Sequence, residues 1–128
     1  MRVLLDTNAL IWWLHDSVRL GPRAKALIVK PETEILVSVV SLWELSMKWR
    51  VSKFEFSGSA LVDDLCNQGI NPIPVRTDHV VALDALGYHH KDPFDHLLLA
   101  QAGVEGASIL TSDRAMTEYG VPCIPAGR

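Results

Sequence analysis

The sequence predicts an α/β protein, a mostly parallel sheet covered by helices on both faces. Short β-branched apolar runs alternate with stretches of helical spacing from one end of the chain to the other. Strands alternating with helices imply right-handed βαβ crossovers, and these build parallel sheets with helices on each side. The length of 128 residues and a hydrophobic fraction of 48% suit one folded domain over residues 1–128, not a disordered chain.

Arg2–Leu5 is the first strand and stops at Asp6. Asn8–His15 is a helix that is apolar almost all round, as a buried or partner-covered helix is. Leu20-Gly21-Pro22 breaks the chain, and Pro22 opens a second helix through Val29. After a turn at Pro31–Glu34, the β-branched run Ile35–Val40 reads as a strand. Ser41–Arg50 carries Leu42, Leu45, Ser46 and Trp49 at helical spacing. Ser59–Asn67 is a further helix stopped near Gly69, and Pro72 and Pro74 keep Asn71–Val75 extended. Thr77–Leu86 is a helix ending at Gly87, and Asp92–Val104 is a long one with Phe94, Leu97, Leu98 and Gln101 on one stripe. Ser108–Leu110 and Val121–Ile124 are the last short strands.

The longest apolar run, Ala9–Leu14, is six residues, far from the ~20 of a membrane helix. Asp6 interrupts any leader beginning at Met1. The chain reads as a cytoplasmic protein with no membrane partner. Cys66 and Cys123 lack metal spacing and are too few for a disulfide framework, so both read as buried thiols. A net charge of −3 argues against a nonspecific nucleic-acid coat, but not against an enzyme with a local basic surface.

Ligands of such sheets bind outside the carboxyl ends of the strands, at a switch point of the topology. Four acids fall there. Asp6 follows the first strand, Glu44 sits in the first turn after the second, and Asp113 lies beyond Leu110. Asp95 opens the helix that runs back into the Ser108–Leu110 strand. Each has a capping explanation. Ser41-Leu42-Trp43-Glu44 matches a capping box, Asp92-Pro93-Phe94-Asp95 matches a capped helix start, and Asp6 and Asp113 precede helices. Capping gives no reason to gather four charges on one edge, where two carboxylates ~5 Å apart repel by about 3 kcal/mol at an effective dielectric of ~20. A hard divalent cation such as magnesium does give one.

The same residues resemble a known family. Leu4-Leu5-Asp6-Thr7-Asn8-Ala9-Leu10 resembles the amino-terminal signature of PIN-domain proteins. Val39-Val40-Ser41-Leu42-Trp43-Glu44-Leu45, the Asp92-Pro93-Phe94-Asp95 segment and Leu110-Thr111-Ser112-Asp113 resemble the three acidic motifs that follow. The likeness is nearest to the VapC toxins of type II toxin–antitoxin systems. It implies a PIN-like single domain with about five parallel strands. It also implies a Mg2+- or Mn2+-dependent endoribonuclease that leaves 5′-phosphate and 3′-hydroxyl ends. Its expected partners are an RNA substrate, a second copy in a homodimer, and a VapB-type antitoxin, in some cases within a larger complex. DNA would be met only through the antitoxin. Asp6, Glu44, Asp95 and Asp113 match the family's acidic quartet and are the expected catalytic and metal-holding residues. Asp92 suits capping, which leaves Asp95 to face the metal. The chain departs from the family at His96, where many relatives carry arginine, and at Asn8, where many close relatives carry histidine. Both departures bear on how an RNA backbone is gripped.

Thr7, Asn8, Thr111 and Ser112 lie beside the acids as partners that orient carboxylates, or as plain turn and cap residues. His89, His90, Lys91 and His96 flank the third acid without ligand spacing and read as a solvated or phosphate-facing loop. Lys48, Arg50 and Lys53 form a basic rim or simply a charged face. Trp12, Trp13, Trp43 and Trp49 read as core at helical spacing, with Trp12 and Trp43 also placed for partner contact. Three rival readings remain. A phospho-accepting receiver needs a paired acid after the first strand and a late lysine, yet no lysine follows Lys91. A PIN domain that binds without cutting is expected to lack an acid. A PIN nuclease of RNA processing or DNA repair fits the short chain and its Asp-Pro-Phe-Asp segment less well than a toxin does.

Overall fold

A computed structural model describes residues 1–128. Strands β1 (Arg2–Leu5), β2 (Glu34–Leu36), β3 (Ser108–Thr111) and β4 (Cys123–Pro125) form one sheet in the order β2-β1-β3-β4. Every pairing is parallel, with Leu4 opposite both Leu36 and Ile109. Val3, Leu4 and Leu5 are fully buried, as expected of a central parallel strand covered on both faces. A rudimentary fifth strand lies beyond β2. Ile73 donates to the Val37 carbonyl at 2.8 Å and accepts from the Val39 amide at 3.0 Å, a single parallel bridge between prolines that forbid a longer ladder.

Helices α1 (Thr7–Leu14), α2 (Pro22–Val29), α3 (Val39–Arg50), α4 (Gly58–Asn67), α5 (Thr77–Ala82) and α6 (Pro93–Glu105) pack on the two faces. Val3, Leu5 and Leu110 join Leu10, Ala24, Leu45, Leu61 and Leu65 in one core cluster. Leu4, Leu36 and Ile109, of opposite strand parity, join Leu98, Leu99, Ala102 and Met116 in the other. Gly106, at φ 63°, ends α6 in the left-handed conformation and lets the chain turn into β3. The buried Gln101 ties the layers together. It lies 2.5 Å from the Ser38 hydroxyl and donates to the Pro74 carbonyl at 3.2 Å. No helix is long and apolar enough to cross a membrane.

Five expectations need correction. The Ile35–Val40 strand ends at Leu36, because the Ser38 hydroxyl caps the next helix by accepting from the Val40 amide at 3.0 Å. Val39 and Val40 are therefore helical, and the Ser41–Glu44 capping box does not form; Glu44 sits in the second turn. Thr77–Leu86 is helical only to Ala82, followed by a 3₁₀ turn over Leu83–Ala85. The cysteines are not core thiols, since Cys66 is exposed and Cys123 half-buried. Nor are all the tryptophans core: Trp12 and Trp13 pack on the first cluster, whereas Trp43 is 56% exposed and Trp49 46% exposed.

Candidate active site

The chain passes from β1 to one neighbour, β2, and returns to the other side for β3, so the topological switch point lies between β1 and β3. Asp6 sits on that seam. Its amide donates to the Leu110 carbonyl at 3.1 Å, and its Oδ1 caps α1 by accepting from the Ala9 amide at 2.8 Å. Asp113, just past β3, is exposed. Its amide donates to Thr111 Oγ1 at 3.0 Å, and its Oδ1 caps the short 3₁₀ segment Arg114–Tyr119 through the Ala115 amide at 2.9 Å.

Glu44 and Asp95 approach from helices, near enough for Glu44 to repel Asp95 and for Asp95 to repel Asp6. The Thr7 hydroxyl donates to Glu44 Oε1 at 2.8 Å and lies 3.0 Å from the Ser41 hydroxyl, so the residue after Asp6 fixes the Glu44 side chain. Glu44 Oε2 accepts from Lys48 Nζ at 3.1 Å. Asp95, in the first turn of α6, has its Oδ2 3.0 Å from His90 Nε2. One ligand atom each from His90, Asp95 and Asp113 all lie within 4.8 Å of one another.

The electrostatics record the convergence. Burial pushes the Asp6 carboxyl from an ordinary 3.8 up to about 6, against hydrogen bonds from Thr111 and Ala9, and the charges of Asp95 and Asp113 push the same way. Burial likewise pushes Asp95 to about 6 against its bond with His90, with Asp92 and Glu44 adding repulsion. Lys48, on Glu44, is the one lysine or arginine paired with any of the four. Asp6 and Asp113 are thus both caps and members of a cluster, so the capping and clustering readings hold at once. Asp92 serves as the helix cap, with its Oδ1 accepting from the Phe94 amide at 2.9 Å and the Asp95 amide at 3.2 Å.

Of the neighbouring polar residues, Thr7 and Thr111 touch the acids, whereas Asn8 and Ser112 are exposed and bonded to none of them. His96 is turned away, its Nε2 donating to the His90 carbonyl at 2.7 Å. No motif in the sequence marks His90 or Tyr119, yet the Tyr119 hydroxyl lies 2.6 Å from His90 Nδ1. Nothing in the local pattern links them, because the contact spans 29 residues of chain. Beside the acids runs a groove of about 670 Å³ lined by Glu44, Met47, Lys48, Lys53, Lys91 and Phe94, among others. Three lysines therefore flank a path that ends at Glu44, and Trp43 stands edge-on to Phe94 at its margin, with ring centroids 4.7 Å apart.

The sequence profile of the PIN domain family matches residues 3–122. The chain belongs to the PIN domain family. Solved structures share the fold across nearly the whole PIN domain. VapBC2 from Rickettsia felis, bound to a DNA fragment from their promoter, is similar with a TM-score of 0.74 at 15% identity, covering 97% of this chain and 98% of that one. FitAcB from Neisseria gonorrhoeae gives 0.68 at 16%, covering 97% of each chain. A toxin–antitoxin complex from Klebsiella pneumoniae gives 0.63 at 22%, again over 97% of each. No individually curated protein matches the sequence.

Proposed function

We propose that this PIN domain is the toxin of a type II toxin–antitoxin pair, a VapC-type endoribonuclease dependent on Mg2+ or Mn2+. PIN domains are generally nucleases, which supports a hydrolase of phosphodiesters. The observation that carries the reading is the gathering of Asp6, Glu44, Asp95 and Asp113 at the β1/β3 switch point, with two of them held at about 6. The donor set fits a hard cation, since it offers carboxylate oxygens and carries a repulsion that only positive charge relieves. Bound there, such a cation would supply a lowered pKa for a bound water and relief of the charge that develops on the phosphate and leaving oxygens.

The chain's own residues do the rest. Asp6, Glu44, Asp95 and Asp113 would hold the cation. Thr7 orients Glu44, and Thr111 orients Asp6. Lys48, Lys53 and Lys91 line the groove along which a polyanionic strand reaches the acids. Exposed Met47 and Val51, with Phe94, make that groove partly apolar, and exposed Trp43 packs on Phe94 at its margin, as on a surface met by a protein partner. That partner is a VapB-type antitoxin, in keeping with the toxin–antitoxin assemblies that share the fold, and a second copy of the toxin completes a homodimer. The site of action is cytoplasmic. Incubation of the purified chain with structured RNA tests the reading. Cleavage is expected with Mn2+ or Mg2+, to stop with EDTA, and to be lost in Asp95→Asn with the fold intact. Full activity in EDTA, or in folded Asp95→Asn, would overturn it.

A further inference from the structure

The Tyr119 hydroxyl has a defined set of neighbours. The amides of His89 and His90 donate to it at 3.0 and 3.1 Å, which uses both lone pairs of a phenol oxygen. His96 Nε2 lies 3.1 Å away but sits 2.7 Å from the His90 carbonyl, which can only accept, so His96 Nε2 carries a hydrogen. The phenol hydrogen is left with one acceptor, His90 Nδ1 at 2.6 Å. His90 Nδ1 is therefore unprotonated, and its Nε2 carries the hydrogen of the neutral ring. That Nε2–H points at Asp95 Oδ2, 3.0 Å away. Both rings are half-buried, and the amides that hold Tyr119 belong to the loop carrying His90 itself, so the loop and the ring are set together.

We propose that Tyr119 and His90 form a positioning chain for Asp95: the tyrosine fixes the histidine tautomer, and the histidine Nε2–H holds Oδ2 so that Oδ1 is the oxygen presented to the cation. This rests on the reading of Asp95 as a metal-holding residue. It decides between two roles for an imidazole near Asp95 and Asp113, because a ring whose Nε2 bears hydrogen orients a carboxylate and does not itself bind the ion. Metal-site carboxylates are commonly held by such outer partners, and losing one typically weakens metal affinity by roughly 10–100-fold.

Two measurements on the whole chain test it. In protein labelled with 15N-histidine, ring-nitrogen shifts are expected to report His90 as the Nε2–H tautomer, both without cation and at saturating Mg2+. Mn2+ titration is expected to show His90→Ala binding roughly 10–100-fold more weakly than wild type. His90→Gln, which restores an N–H donor, is expected to recover much of the loss, and Tyr119→Phe to mix the tautomers. An Nδ1–H tautomer in the wild type, or loss of the Nε2 hydrogen on adding Mg2+, would overturn the proposal by making His90 a ligand. Unchanged Mn2+ affinity in His90→Ala would overturn it as well. If the wild type binds no Mn2+ at all, the metal-dependent nuclease reading fails and the positioning role falls with it.

Discussion

Replacing Asp6 with asparagine is expected to stabilise the cation-free protein at pH 8. The wild-type carboxyl is held at about 6 in the folded chain, against 3.8 ordinarily, chiefly by burial. Between those values the folded state binds more protons than the unfolded chain, so stability falls as pH rises through the window. The penalty is absent below about 3.8 and complete above about 6. Two pH units at 1.36 kcal/mol each give about 3 kcal/mol at pH 8. Asparagine carries no charge, yet its Oδ1 still accepts from the Ala9 amide, and it caps helices as well as aspartate does. It forgoes an attraction to the helix dipole of about 0.3–1 kcal/mol. The net gain of about 2 kcal/mol corresponds to a rise of about 5–10 °C in Tm for a domain of this size. By pH 5 the penalty falls to about half, and by pH 4 to about a fifth. Saturating Mn2+ narrows the gap, because a ligand at a hundred times its Kd stabilises the wild type by ~2.7 kcal/mol and a depleted site by less. Thermal melts at pH 4, 5 and 8, in EDTA and in Mn2+, read all of this. An Asp6→Asn protein that melts below wild type at pH 8 in EDTA, or a gap that does not narrow on acidification, would show that the buried Asp6 charge does not destabilise the fold.

Asp92→Ala is expected to cost about 1 kcal/mol through loss of the α6 cap and to leave metal-dependent cleavage in place. Asp95→Asn is expected to do the opposite, and paired melts and cleavage assays separate the two. Thr7→Val removes the buried donor that fixes Glu44, with an expected loss of about 1–3 kcal/mol and weaker Mn2+ binding, read by denaturation and titration. Mn2+ affinity is expected to fall steeply as pH drops through about 6, the value at which Asp6 and Asp95 take up protons, and calorimetric titration from pH 5 to 8 checks this.

Much of the scaffold is legible in the sequence because it follows periodicity. Three consecutive buried residues in β1, the Asp92-Pro93 start of α6 and the glycine after Glu105 announce their elements locally. The acids are legible for a related reason, since their positions at strand and helix ends follow from where those elements stop. Val39 and Val40 are not, because β-branched residues tell strand from helix only through their setting, and Ser38 decides it by capping. Glu44 joins the cluster through a hydroxyl 37 residues away in the chain, and His90 is held by a tyrosine 29 residues away. Such contacts exist only after β1, α3, α6 and the segment past β3 are assembled, so no window of sequence displays them. Tyr119 in particular sits in a 3₁₀ segment with no apolar period to mark it.

Asp6, Glu44, Asp95 and Asp113 are expected jointly to hold a cation at the β1/β3 switch point. Anomalous scattering from crystals of the purified chain grown with Mn2+ measures this directly. The expected result is a peak bounded by those four carboxylates, missing in crystals grown with EDTA and weakened in Asp6→Asn. Ordered carboxylates with no peak among them, or a peak centred on Asp92, would contradict it.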